Sequence, residues 1–287
     1  MTRSDPTRID ATPGTLVRFV ALTFLLSWGA FLPVVLGLLP IERILPLAAV
    51  SIIGPSVAAL VLTWRADGRG GVRRLFARFV RVRVSLRWYA AALLPVGLGL
   101  LGWWVLRTTA DAGPLGQFGG DVGILPLPVI VALFLVSSLG SGALGEELGW
   151  RGYALPRLQA HFSAFGSSLL LGTVWAVWHL PLFAFTDAGT TIPFGWYLPR
   201  VVAISVLLTW VFNHTRGSVF HAVLLHGAAN GTEAFVSASL ETPLHDIQYG
   251  QVMTLLTIAA ALVVVALWGR DLTSDPQRLL PADALER

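Results

Sequence analysis

The sequence predicts an all-α membrane protein of about eight transmembrane helices packed in one bundle. Three observations carry that reading. Charged residues are 13% of the 287, where a soluble chain carries about 25%. Hydrophobic residues are 55%, and the mean hydropathy is +0.71. The charges are also clustered, which leaves several windows of about 20 residues almost free of them, enough to cross the hydrocarbon layer as helices.

Residues 1–14 are polar and contain Pro6 and Pro13, which marks a cytoplasmic tail. The first apolar run, Leu16 to Leu39, is too long for a signal-peptide core and reads as a retained first helix. Helix two covers about Ile44 to Trp64, with Pro55 placed to kink it. An Arg-rich stretch follows, with Leu75, Phe76, Phe79 and Val80 between arginines, a spacing that suits a short interfacial helix. Helix three covers about Leu86 to Leu106; Trp88, Tyr89, Trp103 and Trp104 near its ends read as interfacial anchors. Helix four begins near Val122, with Pro126 and Pro128 in its first turns, and reaches at least Glu147. Gly152 to Ser163 reads as a cytoplasmic bend by composition. For Glu146 and His179 to share a water, however, helix four must continue past Trp150 toward Pro156 or helix five must start after Gly166, and both in part is the preferred reading. Helices five to eight cover about Ala164 to Phe185, Tyr197 to Asn213, Ser218 to Ser237 and Val252 to Trp268, with a polar loop around Pro243, His245 and Asp246 before the last. The domain therefore spans 15–270, and 271–287 reads as a second cytoplasmic tail.

Positive charge concentrates between Arg65 and Arg87, and every basic residue is Arg. In a membrane protein this marks a cytoplasmic loop. With eight crossings, both termini share that side, in what reads as a bacterial plasma membrane. An anionic-lipid contact is compatible with the loop, and no nucleic-acid partner is indicated. Cysteine is absent, which excludes disulfides, thiol catalysis and cysteine metal sites.

The chemistry gathers between residues 141 and 235. Ser141, Gly142, Ala143 and Gly145 are small and permit close helix approach. Glu146 and Glu147 follow. A carboxylate at membrane depth normally faces a bundle interior or a wet cavity. Glu147 and Arg151 are one helical turn apart and can form an ion pair of structural kind. Glu146 points about 100° away, with no local partner, and is the free acid. Helix five adds Trp175 and His179, the former as packing or channel lining. Helix seven adds His226 and Asn230, four apart on one face. A carboxylate, two imidazoles and a carboxamide suffice to activate water and stabilise an oxyanion. His221 and Glu233 lie off that face or two turns away and read as structural. His161, His214 and His245 fall in loops, outside any site.

The ordered set Glu146-Glu147-x-x-x-Arg151, Trp175-x-x-x-His179 and His226-x-x-x-Asn230 resembles the CPBP family, the type II CAAX prenyl endopeptidases and their bacterial relatives, also called Abi proteins. The family more often has Phe where this chain has Trp175. The resemblance implies an intramembrane endopeptidase acting on a membrane-associated, CAAX-type protein or peptide. It also implies roles: Glu146 as general base assisted by His179, His226 and Asn230 as oxyanion donors, Glu147 and Arg151 as support. No cofactor is called for, and there is no His-Glu-x-x-His motif; a zinc site, were one present, would use Glu146, His179 and His226. Two alternatives stay open: a non-catalytic scaffold or immunity protein of the same fold, and a transporter. An internal repeat, the usual sign of a transporter, is not evident.

Overall fold

The computed structural model describes residues 11–116, 142–185, 192–240 and 242–273. Every regular element among them is helical. The principal helices are α1 (Pro13–Gly29), α2 (Ile44–Ser51), α3 (Gly54–Ala77) and α4 (Leu86–Thr109, interrupted at Leu93). Next come α5 (Ala143–Glu147), a π-helical segment (Leu148–Ala154) and α6 (Leu155–Gln159), which form one continuous helical run. The chain ends with α7 (Ala164–Trp178), α8 (Leu180–Phe185), α9 (Phe194–His214), α10 (Val219–Ala238) and α11 (Pro243–Trp268).

Among the described residues, four helical segments are long and apolar enough to cross a membrane: α4, Ala164–Ala184, α9 and Pro243–Asp271. A bent unit made of Ile41–Ser51 and α3 would be a fifth. The predicted count of eight is therefore reached only in part. Helix α1 has 17 residues. Helix α10 has 20 but carries His221, His226, Asn230 and Glu233, which lower its hydropathy. Most of predicted helix four lies outside the described residues.

Several boundaries differ from the sequence reading, each for a local reason. Predicted helix two is broken rather than kinked. Pro55 stands in the first turn of α3, where its missing N–H costs nothing. Predicted helix four does not run unbroken into the glutamates. Gly142 has φ +94°, so the helix that carries Glu146 starts anew at Ala143. The stretch 152–159 is helical, not a bend; only 160–163 turns. Predicted helix five breaks at His179, two residues before Pro181, which cannot donate to the helix ladder. Helix α11 begins nine residues earlier than predicted: Pro243 occupies its first turn, and the Thr242 hydroxyl accepts from the His245 amide at 3.1 Å. Trp88 is buried against Trp210 and His214, with ring centroids 5.2 and 4.3 Å away, so it is a packing residue rather than an interfacial anchor.

Helix α9 is the axis of the bundle. It packs against α7, α10 and α11, and its residues 205–213 are buried all round. That agrees with its apolar composition, since a helix hydrophobic on every face belongs inside. Helix α3 packs along α1 and the π segment. There Gly149 is indispensable: a Cβ would stand 2.4 Å from the Pro55 backbone.

One end of the bundle gathers the turns that carry charge. Gln159 donates to Asn213 at 3.2 Å, and the Val219 amide donates to the Arg78 carbonyl at 3.0 Å. Arg81 donates to the Arg216 carbonyl at 2.5 Å. His161 contacts the Ala11 carbonyl, and Trp268 packs on Trp210 and His214. Both ends of the described chain and the Arg-rich stretch thus lie at the same end of the bundle.

Candidate active site

Residues 143–159 and α7 form an antiparallel helical hairpin closed by the turn at 160–163. The first turn of one arm therefore lies beside the last turn of the other. This brings Glu146 to Trp175, whose indole Nε1 donates to Glu146 Oε2 at 2.6 Å. Glu146 is thus not without a partner, but the partner sits 29 residues on. It also places the carboxylate far from the Arg-rich end, where an end at residue 152 would have put it close.

The hairpin end opens into a cavity of about 450 Å³. Glu146, Trp175, His179, His226 and Asn230 all line it. Glu147 and Arg151 lie behind that wall, fully buried. Glu147 Oε1 accepts from Arg151 Nη1 at 2.9 Å and from His226 Nδ1 at 2.8 Å. The π segment starts at Leu148, and all seven of its residues are buried. Such wide turns concentrate at functional sites.

The two histidines are fixed differently. His179 Nδ1 donates to the Trp175 carbonyl at 2.8 Å, a bond that only N–H can make, since a carbonyl only accepts. In the neutral ring Nε2 then carries a lone pair. His226 Nδ1 meets a carboxylate oxygen of Glu147 instead. Trp175 joins every part. Its ring lies edge-on to His226 at 5.0 Å, tilted against His179 at 5.9 Å, and beneath the Arg151 guanidinium at 4.5 Å. The channel-lining role expected of it understates this.

Two further charged residues line the cavity, and the sequence reading assigned neither to the site. Arg200 Nη2 donates to both oxygens of Glu233, at 2.7 and 2.8 Å. Glu233 was placed two turns from the His226 face; it is so placed, but the cavity extends that far. Arg200 gave a signal, an arginine inside a predicted span. His221 remains structural, buried with its Nδ1 on the Ser218 hydroxyl at 2.9 Å. Among the described residues no three His, Asp or Glu side chains converge as a metal-binding group.

A helical membrane protein with a buried carboxylate–histidine–carboxamide cavity is the class that this geometry defines. The family model for type II CAAX prenyl endopeptidase Rce1-like proteins matches residues 126–232, the segment that supplies Glu146, His179, His226 and Asn230. Over 145 residues the chain is 29% identical to CAAX prenyl protease 2 of Methanococcus maripaludis, a match covering 48% of this chain and 49% of that protein. The chain spans about half the length of the curated relative it matches. The segment that builds the site is thus similar to type II CAAX prenyl endopeptidases.

Proposed function

We propose that the protein is an intramembrane endopeptidase that hydrolyses a peptide bond of a membrane-associated, CAAX-type substrate by glutamate-driven attack of water. The observation that carries this reading is the placing of Glu146. It is a buried carboxylate held through one oxygen by Trp175, on the wall of a cavity shared with His179, His226 and Asn230.

Glu146 takes one proton from a water molecule, and His179 Nε2 accepts a hydrogen bond from the other. The water oxygen bonds to the scissile carbonyl carbon, and the carbonyl π pair moves to oxygen. His226, doubly protonated with its charge balanced by Glu147, donates to that oxyanion from Nε2; the Asn230 amide donates a second bond. Glu146 then passes its proton to the amide nitrogen as the C–N bond breaks, releasing a carboxylic acid and an amine. Glu147 and Arg151 hold His226 in register. No metal enters any step. The Arg-rich end and both termini are assigned to the cytoplasmic side of a bacterial plasma membrane by the positive-inside rule; reporter fusions that place residues 65–87 outside would overturn this.

The test uses purified protein, an S-farnesyl-cysteinyl peptide with three residues after the cysteine, and elemental analysis. Glu146→Gln should lose about 10²–10⁴ in turnover, the usual worth of a positioned general base. Asn230→Ala should lose about 10²–10³, as for removal of one oxyanion donor. Stoichiometric zinc that disappears in His226→Ala, with activity restored only by added metal, would overturn the metal-free mechanism.

A further inference from the structure

Arg200 is the only arginine among the described residues that lines the cavity. Within a membrane-spanning helix such a residue is costly and normally marks a binding path. Its pairing with Glu233 leaves much of the guanidinium unused. A single nitrogen, Nη2, makes both contacts, at 2.7 and 2.8 Å, while Nε is buried with no hydrogen-bond partner. This is not the two-pronged fork in which a guanidinium holds a carboxylate best. The two partners are also unequally buried. The Arg200 side chain is 8% exposed and that of Glu233 is 30%, so Glu233 can turn away into water while Arg200 stays.

The position relative to the reacting groups is also informative. Tyr197 packs near both groups: its ring centroid is 5.5 Å from that of His179 and 5.9 Å from the Arg200 guanidinium carbon, which sets an upper limit on the separation of the two. An extended chain advances about 3.3–3.6 Å per residue, so no more than roughly three residues are needed to bridge the two. A group lying a few residues beyond a bond cleaved beside His179 would thus meet Arg200. The group on a peptide that fits a guanidinium fork is a carboxylate.

We infer that Arg200 is the recognition point for the substrate's C-terminal carboxylate, which displaces Glu233 from the guanidinium. Glu233 is then a resident stand-in that neutralises Arg200 until substrate arrives. This inference rests on the endopeptidase reading and adds to it the residue that would select a free carboxylate at the substrate's C-terminus.

The experiment separates the two. The probe is the S-farnesyl-cysteinyl peptide with three following residues, made as free acid and as C-terminal carboxamide. Binding is measured by titration calorimetry in detergent, and hydrolysis separately. Wild-type protein should bind the acid about tenfold to a hundredfold more tightly than the amide, the worth of a charge-assisted contact. Arg200→Gln should bring that ratio to about one. Glu233→Gln, which removes the competitor, should hold or raise it. The double variant Arg200→Gln/Glu233→Gln leaves no unpaired charge and keeps the test open if a single variant fails to fold; its ratio should also be about one. A wild-type ratio near one, or an unchanged ratio in the double variant, overturns the inference. An acid preference that vanishes with Arg200, in a protein that hydrolyses neither peptide, upholds the subsite and overturns the endopeptidase reading.

Discussion

Two arginine–glutamate pairs flank the cavity, and they are built on opposite plans. Glu147 and Arg151 lie on one helical run, four residues apart, with both side chains at 0% exposure. Arg200 and Glu233 join two helices across 33 residues, and one partner reaches water. The first pair is sealed and shares an oxygen with His226; the second faces the cavity and uses one nitrogen of its guanidinium. A sealed charge has nowhere to go when its partner is lost. A charge at a cavity wall can exchange its partner for water or for another anion. Burial, rather than the presence of an ion pair, decides whether such a pair serves as a fixed support or as an exchangeable contact.

The largest effect should come from breaking the sealed pair. Arg151→Ala leaves Glu147 buried and short of its counter-charge, at a cost of about 3–5 kcal/mol, and should sharply lower thermal stability in detergent. Glu146→Gln, which keeps size and polarity, should leave the melting temperature much nearer wild type. Equal losses in the two variants would erase the distinction between Glu147 and Glu146.

The second pair should respond unequally to loss of its two members. Glu233→Gln leaves the more deeply buried Arg200 without its charged partner and should cost about 1.5–3 kcal/mol. Arg200→Gln leaves a carboxylate that water can reach and should cost about 1 kcal/mol or less, as exposed pairs do. Denaturant titration reads both; a larger loss from Arg200→Gln would show that Glu233 is not free to hydrate. The smallest effect belongs to Asp67→Ala. Its pair with Arg74 spans 3.4 Å, with side chains 41% and 37% exposed, and roughly 0.2–1 kcal/mol should be lost.

The sealed pair was legible in the sequence because it is local: a Glu and an Arg at four-residue spacing meet on any helix. The shared face of His226 and Asn230 was legible for the same reason. The bond from His226 to Glu147 spans 79 residues and has no periodic trace. The indole bond from Trp175 to Glu146 depends on the hairpin: Gly152 and Pro156 suggest a turn by composition, and only the need to bring Glu146 to His179 argues for a longer helical arm. Pro156 instead lies inside the continuous helical run, directly after the wide π turns. The π register over 148–154 changes which carbonyl each amide meets, and residue type gives little sign of that. Glu233 is two turns along α10 from His226, but seven residues bring a helix back to nearly the same face, and the cavity runs along that face.

The open end of the hairpin also dictates sidedness. Glu146 and His179 stand roughly 20 Å along the helices from the turn at 160–163, taking 1.5 Å per residue. The arginines near residues 78–81 and 216 cluster with that turn, at the far end. In sealed vesicles of one orientation, trypsin that clips those arginines therefore approaches from one face. A membrane-impermeant carboxylate-modifying reagent added to one face and then the other reads which of them the Glu146 cavity opens to.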